Sequence, residues 1–314
     1  MTRIGIITNP TSGRNKRRLE HVRAWTRASG AMSREVADLE SIHEATRTIL
    51  DAGVDVLAIN GGDGTAQAVM TELFRVGRTW PDVAVLPGGS TNMTANDINT
   101  TYRLRKALDR LLVQVAKAPR ERRRTFRPLM KISVPGRGTE YGLFMTGGVA
   151  LRGMMHFREK VGGKGFLGEL AAGWTLVRGM AGLARDRGGW SDVPPFTLAS
   201  AGTGPAWDDQ ILMVASTLGR LFLHFRPWWG EGDGPIKLTG VRRRPEQLIR
   251  TAPALLRGKE NRRLTPEKGY RSARVDGLTL AGGEGFAIDG EIYPLEAGRI
   301  VTVEATDPIG FISV

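Results

Sequence analysis

Three short apolar segments near the amino terminus each run into a glycine-bearing loop, and this pattern constrains the fold more than any other. The segments are predicted to be strands at Arg3–Thr8, Val54–Ile59 and Val83–Leu86. Amphipathic stretches of helical length separate them, which is typical of an α/β domain with a parallel sheet. Because ligands bind such sheets at the carboxyl ends of the strands, the loops predict a binding site.

The segments between these strands predict helices. Leu19, Val22 and Trp25 have the spacing of one helical face. Ser41 and Glu44 have the spacing of a capping box, which predicts that the second helix begins at Ser41. The predicted helices span Lys16–Ser29, Ser41–Ala52 and Ala66–Val76.

After about residue 128 the pattern changes to strands without regular helices between them, which favours an antiparallel sandwich or barrel. Helical segments interrupt these strands at Leu151–Arg187 and Pro245–Arg257. The 314 residues exceed the size at which one core usually suffices. We therefore predict two domains, 1–128 and 129–314. The predicted strands of the second are Leu129–Val134, Tyr141–Thr146, Phe196–Ala199, Ile211–Ser216, Ile236–Thr239, Ser272–Val275, Gly285–Ile288 and Arg299–Glu304.

Composition narrows the class of protein. The absence of cysteine excludes disulfides, a thiolate nucleophile and cysteine-ligated zinc. The first residues lack the charged and apolar regions of a signal peptide, and no apolar run reaches about 18 residues, so we expect a cytoplasmic protein. The net charge of +13 indicates an anionic partner, either a membrane surface or nucleic acid.

The loop after the second strand, Gly61–Thr65, carries three glycines around Asp63. Glycines let backbone N–H groups approach a ligand closely, and the following helix presents its N-terminus, so phosphate binding is the functional interpretation. A tight turn is the alternative. An aspartate among phosphate-binding amides is favourable only if Mg²⁺ or water lies between them. The chain has no Walker A motif, and Gln67 occupies the position of the third glycine in the dinucleotide-binding pattern.

The three loop motifs are Asn9-Pro10-Thr11-Ser12-Gly13, Gly61-Gly62-Asp63-Gly64-Thr65 and Pro87-Gly88-Gly89-Ser90-Thr91-Asn92. Taken together, these loops resemble the diacylglycerol kinase catalytic-domain family, which includes bacterial soluble lipid kinases and the sphingosine and ceramide kinases. The Gly61–Thr65 motif by itself is shared with NAD kinases. Later motifs at Thr146–Ala150, Gly232–Gly234 and Asp289–Glu291 match the same family.

The resemblance implies an ATP- and Mg²⁺-dependent lipid kinase that phosphorylates a hydroxyl of diacylglycerol or a related lipid. It implies an α/β ATP-binding domain and a β-sandwich-like second domain with a helical insert, whose last strand returns to the first domain. It assigns Asp289 as the general base, and Asp233 and Asp63 to Mg²⁺. Asp233 and Asp289 each precede glycine, so both are also ordinary turn residues. The residues implied to line the ATP phosphates are Asn9, Pro10, Thr11, Ser12, Gly13, Gly61, Gly62, Asp63, Gly64, Thr65, Gly88, Gly89, Ser90 and Asn92.

Two departures from the family pattern leave other functions open. Gln67-Ala68 replaces an Asn-Glu pair that is common in bacterial members, and Met93-Thr94 replaces Asp-Phe. The alternatives are an NAD kinase-like enzyme and a nucleotide- or lipid-binding protein with impaired transfer.

Clusters of basic residues suggest where a lipid kinase could meet an anionic membrane. They lie at Arg14–Arg18, Arg120–Arg127 and Arg242–Arg244, and Met154–Met180 mixes aromatic with basic residues. We expect peripheral membrane association and a lipid substrate. No nucleic-acid reader motif is present. The sequence is compatible with a homodimer.

Overall fold

The chain divides into two compact units. The first comprises Met1–Arg127 and Pro308–Val314, and the second comprises Pro128–Asp307. The first is a parallel-sheet α/β unit and the second an antiparallel β-rich unit, which confirms the predicted fold class. A computed structural model describes residues 2–13, 15–77, 80–98, 100, 103–161, 192–201 and 203–314. Arg14 and most of the predicted insert Leu151–Arg187 lie outside the described residues.

A six-stranded sheet forms the centre of the first unit, in the order β2-β1-β3-β4-β17-β5. Strands β1 to β4 pair in parallel, β17 joins β4 in parallel, and β5 pairs antiparallel with β17. Every residue of β1 and β3 is buried, as expected for a parallel sheet covered on both faces. The strands are β1 (Ile4–Thr8), β2 (Met32–Glu35), β3 (Val56–Gly61), β4 (Asp82–Pro87), β5 (Arg124–Arg127) and β17 (Ile309–Ile312).

Helices pack against this sheet through apolar side chains. On one face, Ile6, Ala58 and Leu86 belong to the same buried cluster as Trp25 and Leu108. The helices of this unit are α1 (Leu19–Ser29), α2 (Leu39–Asp51), α3 (Asp63–Val76), α4 (Met93–Asp97) and α5 (Leu104–Val115).

The predicted start of the second helix at Ser41 is wrong. Helix α2 begins at Leu39, and Asp38 is its N-cap. The Asp38 carboxylate accepts a hydrogen bond from the Ser41 N–H at 2.8 Å, and the Ser41 hydroxyl accepts one from the Asp38 N–H. Ser41 thus fills the third helical position of a capping box in which Asp38 has the role expected of Ser41.

In the second unit, eleven strands of the described residues form one antiparallel sheet. Its order is β15-β14-β8-β10-β9-β13-β16-β6-β7, with β11 paired to β10 and β12 paired to β11. The strands are β6 (Met130–Val134), β7 (Gly138–Gly142), β8 (Phe144–Gly148), β9 (Phe196–Ala199), β10 (Trp207–Ser216), β11 (Ile236–Arg242), β12 (Tyr270–Val275), β13 (Gly277–Gly282), β14 (Gly285–Ile288), β15 (Glu291–Pro294) and β16 (Ile300–Ala305). Helices α6 (Val149–Val161) and α7 (Leu248–Arg257) accompany them.

The sheet bends around its own core at β10. Leu212–Ser216 pairs with β8, whereas the first half of β10 pairs with β9. The register of the pairing with β9 shifts between Trp207 and Gln210. Such changes of partner turn one sheet into two facing layers. Side chains from distant strands accordingly share one buried cluster, including Ile132 of β6 and Phe286 of β14.

Several arginines of the predicted basic cluster Arg120–Arg127 form ion pairs inside the first unit. Arg122 and Arg124 both bind the carboxylate of Asp82, at 2.7 and 2.8 Å. Arg127 binds the buried Asp97 at 2.7 Å. These guanidinium groups therefore hold β5 against the sheet. Within the part of the chain described, no helix has both the length and the apolar composition needed to cross a membrane.

The ion pairs of Asp82 predict that removing the negative charge of this residue lowers stability. In Asp82→Asn the guanidinium of Arg122, whose side chain is 2% exposed, loses its carboxylate partner. We expect a free energy of unfolding lower by about 3 kcal/mol in urea titrations. The control is Arg120→Gln, which changes an exposed arginine of the same segment and should leave the unfolding midpoint unchanged. Wild-type stability of Asp82→Asn would contradict this account.

Candidate functional site

The carboxyl ends of three neighbouring strands bring the predicted phosphate loops together. Strand β3 lies between β1 and β4 in the sheet. Thr8 of β1 is level with Asn60 of β3, and Gly61 is level with Pro87 of β4. Loops 9–13, 61–65 and 87–92 therefore leave the same edge of the sheet.

Glycines allow the three loops to touch backbone to backbone. A Cβ atom added at Gly89 would lie 2.5 Å from the Cα of Gly62. One added at Gly13, where φ is 40°, would lie 2.6 Å from the backbone of Gly89 and Ser90. No side chain fits at these points without moving a loop.

Asparagine side chains fix the shapes of the outer loops. The Asn9 side-chain amide donates to the Thr65 hydroxyl at 3.1 Å, and its oxygen accepts from the backbone and hydroxyl of Thr11. Asn92 adopts a left-handed conformation with φ of 49°. Its side chain accepts from the Gly89 N–H and donates to the Gly89 carbonyl, at 2.7 and 2.9 Å. Both asparagines were predicted at the site.

Asp63 ties the second loop to the third. Its two carboxylate oxygens accept hydrogen bonds from the backbone N–H groups of Met93 and Thr94, at 3.1 and 2.9 Å. Desolvation by the surrounding loops raises the pKa of Asp63, and the hydrogen bonds from Thr94 and Met93 act in the opposite direction. Sequence reasoning assigned Asp63 to phosphate and Mg²⁺ and missed this bridging contact.

The N-terminus of α3 lies at the site and carries backbone N–H groups that have no acceptor within the helix. Gly62 is the N-cap, and none of the described side chains caps the helix. The first helical hydrogen bond runs from the Ala66 N–H to the Gly62 carbonyl, so the preceding N–H groups have no acceptor within the helix. Such an end attracts anions through its N–H groups and its dipole.

Sequence reasoning also missed two buried asparagines beneath the loops. The Asn15 side chain donates to the carbonyls of Asn9 and Asn60, at 2.9 and 3.0 Å. Among the described residues, the Asn15 side-chain oxygen, both polar side-chain atoms of Asn60 and the Thr8 hydroxyl have no hydrogen-bond partner. Unpaired polar atoms in such a place favour ordered water or a polar ligand. Only their positions in the sequence could have indicated them, because Asn60 directly precedes Gly61 and Asn15 closely follows the first loop.

The departures from the family pattern lie in packed positions. Gln67 and Ala68 are both buried on α3, and the Gln67 amide donates to the Thr71 hydroxyl at 3.2 Å. Met93 contacts Asp63 through its backbone, so its side chain is not needed for that hydrogen bond.

Asp289, the predicted general base, occupies a β-hairpin turn in the second unit. Its φ is 46° and that of Gly290 is 98°, which matches the positive φ values of a type I′ turn between β14 and β15. The carboxylate is buried and accepts hydrogen bonds from the backbone N–H groups of Leu143 and Phe144, at 2.9 and 3.0 Å. Asp289 is thus a turn residue whose side chain is also held in a fixed position.

The neighbouring strand leaves room for this carboxylate through a glycine that sequence reasoning missed. A Cβ atom at Gly142 would lie 2.7 Å from one carboxylate oxygen of Asp289. Any other residue at position 142 would displace Asp289 or the strand.

Asp233, the predicted Mg²⁺ ligand of the second unit, is exposed in the segment before β11. Among the residues that the structure describes, no group of three or more histidine or acidic side chains could hold a metal ion. Mg²⁺ usually takes most of its ligands from water and substrate phosphates and is bound through one or two carboxylates. The assignments of Asp63 and Asp233 stay predictions.

A comparison of the sequence with known protein families gives a match within the first unit. Residues 3–119 match the sequence model of the family described as the diacylglycerol kinase catalytic domain. The predicted family resemblance is confirmed. The match contains all three glycine loops. No curated protein matches the chain.

Solved structures resemble the whole chain in fold. A diacylglycerol kinase from Bacillus anthracis str. Sterne is 12% identical, with a TM-score of 0.64 over 99% of this chain and 96% of that one. A second structure from the same organism is 13% identical, with a TM-score of 0.67 over 97% of this chain and 94% of that one. At these identities the likeness establishes the shared fold alone.

The bridge at Asp63 predicts a loss of stability in Asp63→Asn. The amide offers one acceptor oxygen where two backbone N–H groups need acceptors, so the free energy of unfolding should fall by about 1–3 kcal/mol. Urea unfolding measures it. Asp109→Asn changes an exposed aspartate on α5 and is the matched control. Equal stability of the two variants would show that the bridge contributes nothing.

Proposed function

We propose that this protein is a lipid kinase that transfers the γ-phosphoryl group of ATP to a lipid hydroxyl. The observation that carries the proposal is the meeting of three glycine loops, within residues that match the kinase family, at one edge of a parallel sheet. Phosphoryl transfer depends mainly on positioning and charge neutralisation, which backbone donors and metal ions provide.

In this proposal the three loops bind the phosphates of ATP. Gly61, Gly62 and Gly64 let the N-terminus of α3 approach the anion, and the first and third loops close on it from either side. The unpaired atoms of Asn15 and Asn60 hold water beneath the nucleotide. Asp63 keeps the loops together through its bonds to Met93 and Thr94.

Mg²⁺ would enter with ATP and neutralise charge on the transferred phosphoryl group. Asp63, whose carboxylate is bound to the Met93 and Thr94 N–H groups, would contact it through water. Asp233, exposed and followed by Gly234, is the carboxylate that we assign to a second, structural ion.

Asp289 is the proposed general base. The lipid hydroxyl oxygen forms a bond to the γ-phosphorus, the bond from that phosphorus to ADP breaks, and the hydroxyl proton passes to the Asp289 carboxylate. The N–H groups of Leu143 and Phe144 hold the carboxylate in place.

In this proposal the acceptor lies in an anionic membrane, and the protein is a cytoplasmic enzyme that binds to the membrane surface. Lys16, Arg17, Arg120 and Arg123 are exposed and carry charge suited to this contact. Arg122, Arg124 and Arg127 are already paired with carboxylates. The acceptor is a lipid with a free hydroxyl, diacylglycerol being the candidate that the family name suggests.

Loop packing predicts that Gly89→Ala weakens ATP binding. The added methyl group collides with Gly62 and separates the second and third loops. We expect at least roughly a tenfold rise in the dissociation constant for ATP by calorimetry, equivalent to one lost charge-assisted hydrogen bond. Gly30→Ala is the control, since it strains a left-handed helix end with open space around it. Similar affinities in both variants would contradict the packing argument.

The role of Asp289 predicts a loss of transfer in Asp289→Asn without a loss of ATP binding. Asparagine tolerates the positive φ of the turn, and its side-chain oxygen can accept from one of the two N–H groups that bind Asp289, but it accepts no proton. Transfer of labelled phosphate from ATP to lipid should fall by roughly 100-fold or more. Wild-type transfer by this variant would refute the assigned base. Transfer to NAD by the wild-type protein, without transfer to any lipid, would favour the NAD kinase alternative.

A further inference from the structure

A pocket of about 530 Å³ in the second unit is lined by more positive than negative side chains. It lies where the first half of β10 meets the ends of β11 and β12. Four arginines contribute to its wall, against two aspartates. These residues are Arg242, Arg243, Arg244, Arg271, Asp208 and Asp209.

The aspartates do not neutralise the pocket. Asp209 pairs with Arg243 at 3.3 Å, and the Asp208 carboxylate accepts a hydrogen bond from the Thr197 hydroxyl at 2.9 Å. Within the described part of the chain, the guanidinium groups of Arg242, Arg244 and Arg271 form no salt bridge. The side chains that line the pocket therefore carry a formal excess of two positive charges, opposite in sign to the charge of a phosphate monoester.

A buried polar side chain in the wall also lacks a partner. Gln210 is 3% exposed, and its side-chain oxygen accepts no hydrogen bond from any described residue. A buried acceptor of this kind calls for a donor, such as the hydroxyl of a protonated phosphate or a water molecule. Trp207 forms another part of the wall, and the Arg271 guanidinium lies 5.9 Å from its ring centre, which restrains that cation.

Two residues that line the pocket have a strained backbone conformation. Asp209 and Arg244 both have positive φ values, 56° and 52°, although neither is glycine. The Arg243 N–H donates to the Asp209 carbonyl and joins the two strained segments. Residues held in this way occur preferentially at ligand sites.

The pocket is separate from Asp289. The far end of β10, Ser216, pairs with Phe144, whose N–H binds Asp289. Ser216 lies six positions after Gln210 along the strand, a separation of roughly 20 Å. The pocket therefore does not contribute to the general base.

We propose that this pocket binds the phosphate monoester group of a ligand. Guanidinium groups match the oxygens of such a group in pairs, and the excess charge matches a monoester better than a singly charged diester. The pocket would give the second unit its own affinity for a phosphorylated molecule, whether a lipid headgroup or a soluble phosphate.

The test uses the whole protein and vesicles of phosphatidylcholine that contain either phosphatidic acid, a monoester, or phosphatidylglycerol, a diester. The double variant Arg242→Gln/Arg244→Gln removes two cations from the pocket. The matched control, Arg257→Gln/Arg262→Gln, removes two exposed arginines elsewhere in the same unit. Melting temperatures confirm that both variants fold.

We expect the pocket variant to bind phosphatidic acid vesicles at least roughly tenfold more weakly than the wild-type protein, and the control to keep most of its affinity. Arg271→Lys, which keeps the charge but loses the planar donor pair, should also weaken binding. Equal losses in pocket and control variants would overturn the proposal, as would equal binding of the two anionic vesicles by the wild-type protein.

Titration with inorganic phosphate distinguishes the two sources of the ligand. Arginine-dependent binding of free phosphate supports a pocket open to soluble phosphates. Binding only to phosphatidic acid vesicles supports a lipid headgroup site. Failure of the wild-type protein to bind either probe would overturn the proposal. None of these outcomes depends on kinase activity, so failure here leaves the proposed reaction untouched.

Discussion

Close backbone contact between glycines is the constraint on which the site in the first unit depends. Loops from β1, β3 and β4 share one edge of the sheet, and they meet at Gly13 and Gly89 at distances that exclude a Cβ atom. This contact brings the free N–H groups of α3 beside two further loops. Without it, the sheet would present three separate turns, none of which has enough donors to hold a polyphosphate.

Much of the first unit could be predicted because its central strands are continuous apolar runs, as in parallel sheets with two covered faces. Strand β2 could not, because it lies at the edge of the sheet and its residues Met32–Glu35 are half-buried or exposed. The true cap of α2 escaped prediction for another reason. Asp38 and Ser41 are both good capping residues, and only the fold shows which one begins the helix.

The details of the site were harder to predict than its location. Motif order placed the loops correctly, since parallel strands end at the same edge. The contacts of Asp63 join residues 30 and 31 positions apart, and no local pattern records them. The contacts of the buried asparagines Asn15 and Asn60 could not be predicted for the same reason. Their neighbours are set by strand register, which sequence spacing does not specify.

In the second unit, one turn residue also carries the carboxylate that we propose as the general base. Asp289 has the backbone of an ordinary type I′ turn, yet its carboxylate is buried and fixed by two backbone N–H groups next to Gly142. Strands β13 and β15 were missed by sequence reasoning, although their pairing positions this turn and the surrounding core.

The central claim is that the three glycine loops form one binding site for the phosphates of ATP. Hydrogen exchange of the backbone amides, measured by mass spectrometry with and without ATP and Mg²⁺, tests it most directly. We predict slower exchange in residues 9–13, 61–65 and 87–92 together, with a common dependence on ATP concentration. Protection of one loop alone, or of none, would contradict the claim.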